Sequence, residues 1–334
     1  MTTHLYITER RTGKLWDAAT ITENATYETN RTGSPGKFEF TLWKAGDISF
    51  VEGDQVRFEV DGQIVFYGWV FHKQKNRWGK IDVTCYDRLR YLKANASYGF
   101  YGMTAGQIIQ QIAEDFELDV GTIEDTGYQI PSLICEDQSC LDIINNAVQQ
   151  TLLNTGEVFV FYDNGDGLCL QNCKSMIANT VLGDKSLVTD YTYTTDIDKQ
   201  TYNSVKLVLP NEETGKMDVY QADSSYNIDR WGLLRLYQKI DGDVNPAQAI
   251  EQAKTMLKYY NRRMRTLSVE SIGVLGLRAG MMMYLKIFGL GDINLSQYVL
   301  LERVTHKFQN DLHTMNFETY DINEEGWGEN VNTL

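Results

Sequence analysis

The chain has 334 residues, 43% hydrophobic and 23% charged, with a formal net charge of −14. That length supports two or three domains with their own cores, and the composition is that of an ordinary globular protein rather than a disordered or fibrous one. The acid excess argues against a protein that wraps nucleic acid through phosphate contacts, and no stretch approaches the roughly 20 apolar residues that span a bilayer.

Residues 1 to about 93 read as β structure. Phe38-Glu39-Phe40-Thr41-Leu42 and Ile81-Asp82-Val83-Thr84-Cys85 alternate apolar and polar, the period of a half-buried strand. Gln55–Val60 and Gln63–Phe71 flank Asp61-Gly62, a hairpin turn signal. Several short strands with Gly-rich turns imply a small barrel or sandwich.

The next segment, 94–200, changes character. Between Ala94 and Cys173 there is no Lys, Arg or His, and the acids there supply −12 of the −14 charge. This shift predicts a separate acidic α+β domain. Thr104 and Gln107 have the spacing of a capping box, followed by an apolar helical face at Ile108, Ile109, Ile112 and Phe116. A second helix is expected near Ser139, and a hairpin turning through Asp163-Asn164-Gly165-Asp166-Gly167.

Strands return after about 200, with Val205, Leu207 and Leu209 on one face. Asn245-Pro246 starts a helix expected over 246–263, because Pro at the first helical position loses no hydrogen bond. Its apolar face is Ile250, Ala253, Met256, Leu257 and Tyr260, with Arg262 and Arg263 placed to suit the helix dipole. Strands then run to Tyr320, completing a domain over 201–322, and 323–334 is a polar, acidic tail.

Chemical motifs are sparse. The five cysteines are odd in number and too few for a disulfide framework, so they are read as reduced thiols. Cys135, Cys140, Cys169 and Cys173 match no common zinc spacing. Asp163–Gly167 resembles a calcium loop, but ligand positions counted from Asp163 fall on Gly165, Gly167 and Lys174, so a turn is the better account. No GxSxG, Cys/His pattern or nucleotide-binding glycine loop occurs. No catalytic residue, cofactor or metal is assigned.

The strongest signal is internal repetition. Val70-Phe71-His72-Lys73 matches Val304-Thr305-His306-Lys307, and fourteen residues after each His stand Tyr86-Asp87 and Tyr320-Asp321. Upstream, Gly53-Asp54-Gln55-Val56 corresponds to Gly280-Met281-Met282-Met283, with seven extra residues before Val304 in the second copy. Two related β modules in one chain are expected. His72 and His306 then occupy matching positions, either as one metal ligand each or, as the lack of neighbouring ligands favours, as structural residues.

The order Gly53–Val56, Tyr67-Gly68-Trp69-Val70, Val83–Leu89 and Tyr101–Ala105, with Ala279-Gly280-Met281, Tyr298-Val299-Leu300, Val304–Phe308 and His313-Thr314-Met315, resembles a phage baseplate hub protein. The resemblance is to the XkdQ-like hubs of Gram-positive prophages and contractile bacteriocins, which belong with the late control D proteins and the VgrG base of type VI secretion. It implies a mainly β fold with two related small β-barrels and an inserted acidic α/β domain. It further implies a homotrimer whose six barrels adapt a sixfold tail tube to a threefold spike or tail-tip protein, among other baseplate proteins. The expected location is a virion tail assembled in the host cytoplasm, and the acids would line a conduit that does not retain DNA. Two other readings remain open: a cell-wall hydrolase built on the acidic domain, or a receptor- or carbohydrate-binding tail module. The interface candidates are Trp69, Phe71, Tyr298 and Phe308 on barrel strands, with Leu290 and Asp292 in the longer loop of the second copy.

Overall fold

The computed structural model describes residues 1–211, 215–240, 245–291 and 293–322. The acidic tail and Asp292 lie outside the described residues. The fold is mainly β, with two related barrel sheets and α/β insertions.

The first barrel is built from β1 (Thr3–Thr8), β2 (Leu15–Asp17), β3 (Thr22–Asn30), β4 (Lys37–Trp43), β5 (Gln55–Val60), β6 (Gln63–Lys75) and β7 (Lys80–Tyr86), in the order β3-β4-β7-β6-β5-β1-β2. Alternation sends Leu5, Ile7, Phe38, Phe40, Val56, Phe58, Phe66 and Val70 inward. The Phe38 and Phe66 rings stack at 4.8 Å. Asp61 and Gly62 both take positive φ, 49° and 80°, the backbone of a two-residue hairpin turn.

The acidic segment continues with β8 (Asn95–Thr104), α1 (Ala105–Asp115), β9 (Val120–Ile123), β10 (Gln129–Ser139), α2 (Cys140–Thr155), β11 (Phe159–Asp163) and β12 (Leu168–Asn172). Thr104 and Gln107 form the reciprocal capping box, and Ser139 caps α2. Ile108, Ile109, Ile112, Ile143, Ile144 and Ala147 share one core between the helices and two small sheets. The acids stay at the surface: nine of the twelve are exposed and only Asp163 is buried.

Next come β13 (Ile177–Gly183), β14 (Val188–Asp196), β15 (Ser204–Asn211), β16 (Lys216–Asp223), α3 (Ser225–Trp231), β17 (Arg235–Lys239), α4 (Pro246–Tyr260), β18 (Met264–Ile272), β19 (Met282–Ile287), β20 (Leu295–Gln309) and β21 (Leu312–Thr319). β13 and β14 fall within the segment expected for the acidic domain, yet they pair with β19 and β18. α4 packs on the β16-β15-β17 sheet instead of a barrel, burying Ala249, Ala253 and Met256 against Val205 and Leu207. Ile250, expected to face inward, is 42% exposed. The helix ends at Tyr260, so Arg262 lies beyond it and pairs with Asp321.

The second barrel reads β14-β18-β21-β20-β19-β13. The first reads β3-β4-β7-β6-β5-β1, the same order element by element. Gly53 N–H donates to Val70 O and Val70 N–H to Asp54 O. In the second copy Gly280 N–H donates to Leu301 O and Leu301 N–H to Met281 O. A bulge follows at once in each, after Val70 and after Leu301. Each hairpin closes on a Tyr-Asp pair whose buried carboxylate accepts a backbone N–H at the start of the adjacent strand, Gly36 to Asp87 at 2.8 Å and Arg265 to Asp321 at 3.0 Å. Leu301 is therefore the equivalent of Val70, and Tyr320 of Tyr86. The second hairpin is longer by three residues, which displaces the histidines: His72 is exposed on β6, whereas His306 is 3% exposed inside. The gapless match of the two histidines is thus corrected, since they do not occupy equivalent places.

Candidate assembly interfaces

The two barrels are joined by strand pairing within the chain. β3, at the edge of the first barrel, runs antiparallel to the C-terminal half of β20, from Arg303 opposite Asn30 to Gln309 opposite Asn24. Around this seam Arg31 pairs with Glu302 at 2.6 Å, Arg303 Nε donates to Asn30 Oδ1 at 3.0 Å, and Ala279 N–H donates to Thr29 Oγ1 at 3.0 Å. The outcome is one 13-stranded sheet.

Phe308 closes the seam. It belongs to β20 yet packs in the first barrel's core, 4% exposed, with its ring edge-on to Phe58 at 5.1 Å. His313 stacks on its other side at 4.3 Å. His306 Nε2 lies 2.7 Å from Leu277 O, which can only accept, so this nitrogen carries the proton. Its Nδ1 then accepts from His313 Nε2 at 2.9 Å. Burial lowers the His306 pKa; burial and then the His306 neighbour push His313 down to about 4.

A buried polar joint ties the first barrel to the acidic domain. Arg88, just after Tyr86-Asp87, donates from Nη1 to both Asp163 oxygens at 2.9 and 3.2 Å and to Gly165 O at 2.8 Å. Arg278 of the second copy donates to Asp163 O at 3.0 Å and lies 3.9 Å over Tyr162. Tyr162, Asp163, Gly165 and Arg278 border a cavity of about 440 Å³ that also touches Tyr27, Asp87 and His306. Burial, then the Asp163 charge, raises the Asp87 carboxyl well above the usual carboxylate range. The Asp163–Gly167 turn is therefore occupied by its own bonds: Asp163 also accepts from Gly165 N–H and Asn164 from Gly167 N–H.

The interface candidates scatter. Trp69 and Phe71 lie together, half-buried on the outer face of β6, in an aromatic row with Tyr67, Tyr86 and Tyr91. Arg88 and Arg90 cover this row. Tyr298 is half-buried against Tyr284 at 5.2 Å. Phe308 and Leu290 are corrections, since both are buried, 4% and 8% exposed, inside this chain's own cores. The periodicity that marked them as barrel residues could not say which core they enter. Sequence reasoning missed the joint formed by Arg88, Asp163 and Arg278, which no local pattern marks. The five cysteines are buried thiols, and among the described residues no helix is long and apolar enough to cross a membrane. An exposed apolar face remains on the small sheet at Met217, Val219 and Tyr237.

A model of the YQBQ-like family matches residues 25–320. The chain belongs to that family. It is 28% identical over 311 residues to the protein YqbQ of Bacillus subtilis, covering 91% of this chain and 93% of that protein. It is 28% identical over 310 residues, at the same coverage, to the XkdQ protein of the phage-like element PBSX in that organism. Among solved structures it superposes on a 43 kDa tail protein of prophage MuSo2 from Shewanella oneidensis with a TM-score of 0.71. Identity there is 12%, and the match covers 95% of this chain and 98% of that one, so the likeness is one of fold.

Proposed function

We propose that this chain is the structural hub of a phage-tail baseplate, a homotrimer that adapts a sixfold tail tube to a threefold spike. The observation that carries it is the duplicated barrel: two sheets of identical strand order, joined edge to edge. Three copies supply six such barrels, which meets a sixfold partner, while the insertions repeat only three times. One relative, XkdQ, is a protein of the phage-like element PBSX, which supports this reading. The acidic surface of 94–173 suits a conduit through which a polyanion passes without sticking, and the apolar face at Met217, Val219 and Tyr237 suits a neighbouring tube or spike protein. The particle is a contractile tail or a bacteriocin of that plan, and the chain resides in its baseplate after assembly in the host cytoplasm.

Light scattering across a concentration series tests this. The expected species is near 115 kDa (3 × 38.2 kDa). A chain that remains a monomer when mixed with its tube and spike partners overturns the reading.

A further inference from the structure

We infer that β14 of one copy pairs antiparallel with the outer edge of β6, residues 72–75, in the next copy, so that chains are joined by the same step that joins the two barrels inside one chain. The inference rests on the ring reading and names the surface that builds the ring.

The argument is the transposition of one observed seam. Within the chain, β3 of the first barrel pairs with the distal half of β20 of the second. The repeat makes β14 the equivalent of β3. Tyr27 lies opposite Phe38 and Tyr193 opposite Leu267, and each strand carries its bulge at the matching place, between Thr22 and Asn24 and between Val188 and Asp190. The repeat also makes β6 the equivalent of β20. Among the described residues of one chain the β14 edge and the distal edge of β6 are not paired with each other, since β18, β21, β20, β3, β4 and β7 lie between them in the sheet order, so the partner is a second copy.

Both edges are exposed. β14 ends the sheet order and pairs with β18 alone among the described residues. It is mostly exposed from Thr189 to Thr195, whereas its equivalent β3 is covered. Beyond Val70, β6 pairs only with β7, and His72, Gln74 and Lys75 are exposed. The strand β14 is rich in Thr and Tyr and has no Pro, so nothing in it blocks pairing.

The register follows from the seam. Arg303 opposite Asn30 becomes His72 opposite Asp196, and Thr305 opposite Glu28 becomes Gln74 opposite Thr194. In this register His72 of one copy faces Asp196 of the next, and Lys75, which is exposed, lies opposite Tyr193 on the same strand. The contact joins two different edges, so it is heterologous and propagates until the rotation closes a ring.

Paired thiols test it. Directly opposed residues on antiparallel strands have Cα atoms about 4.5–5.5 Å apart, inside the roughly 4.4–6.8 Å that a disulfide spans. The native thiols are buried and do not compete. Full-length Gln74→Cys and Thr194→Cys variants, mixed and mildly oxidised, should give a covalent two-chain product that neither gives alone. The double variant should give a ladder that ends at three chains. Gln74→Cys with Thr195→Cys, which turns one thiol to the opposite face, should give at least tenfold less. A sample that light scattering shows to be trimeric but that does not cross-link overturns the strand pairing and leaves the ring standing. Equal cross-linking by Thr195→Cys overturns the register. A chain that stays monomeric and uncross-linked with its partners present overturns both.

Discussion

Replacing Phe308 with Ala should uncouple the two barrels. The ring is 4% exposed in a core otherwise made by residues from the other copy of the repeat, with Phe58 at 5.1 Å and His313 at 4.3 Å. Truncating a buried Phe costs about 3–5 kcal/mol, the spread reflecting how far the site collapses. With a urea slope of about 3 kcal/mol per M, the midpoint should fall by about 1–1.7 M. Phe317, fully buried in the second barrel's own core, is the control. Phe317→Ala should cost a similar amount while the chain still unfolds in one step. Phe308→Ala should also split the transition, because the seam loses the side chain that β20 buries in the first barrel's core. Far-UV circular dichroism and tryptophan fluorescence, followed together, would report the split; the described tryptophans, Trp16, Trp43, Trp69, Trp78 and Trp231, lie outside the second barrel's strands. A midpoint shift below about 0.3 M, or a split in both variants, would refute the wedge.

Arg88→Met should cost about 3–5 kcal/mol, since it leaves the Asp163 carboxylate buried without its cation. Adding Asp163→Asn should recover at least about 1 kcal/mol in a double-mutant cycle, because no buried charge is then left without its cation and the one amide oxygen still accepts one of the two backbone N–H groups, Arg88 or Gly165, that bond separate Asp163 oxygens. The histidine pair predicts acid sensitivity. A pKa lowered in the folded state contributes stability that is present above 6.5 and lost as pH falls toward about 4. His313 is part-exposed, so the loss is screened to about 1–2 kcal/mol, and His313→Gln should flatten thermal stability between pH 6.5 and 4. The repeat glycines should differ. Gly53→Ala meets only its positive φ of 90° and should cost about 1–2 kcal/mol. Gly280→Ala also drives a methyl to 2.4 Å from Val160 and should cost measurably more by urea melt.

Local chemistry was legible where one short stretch holds the whole signal. Asp61-Gly62 specifies its turn, and Thr104 with Gln107, Ser139, and Asn245-Pro246 specify their helix starts. The strand β14 was not legible. Its Val-Thr-Asp-Tyr-Thr-Tyr-Thr-Thr-Asp sequence shows no apolar alternation, because an edge strand in one copy has little to bury. The doubling itself was readable from Gly53 with Gly280 and from the Tyr-Asp pairs, since each fixes a backbone hydrogen bond. The histidine alignment misled because identity over a short stretch outweighed a three-residue difference in hairpin length. Arg88 and Asp163 are 75 residues apart and meet only through the folding of two domains, so no local pattern foretells their pairing.

The chain order sets a timetable for biosynthesis. Thr29 and Val304 meet across 275 positions. At about 5–20 residues per second, β3 emerges roughly 14–55 s before the strand that covers it. The first barrel can close early from nearby strands, but its outer edge must wait while two further domains are made. Contacts this distant slow the last folding step and leave a strand open to mispairing with nascent neighbours. Glu23 and Glu28 on β3 give that waiting edge a repulsive charge until β20 arrives.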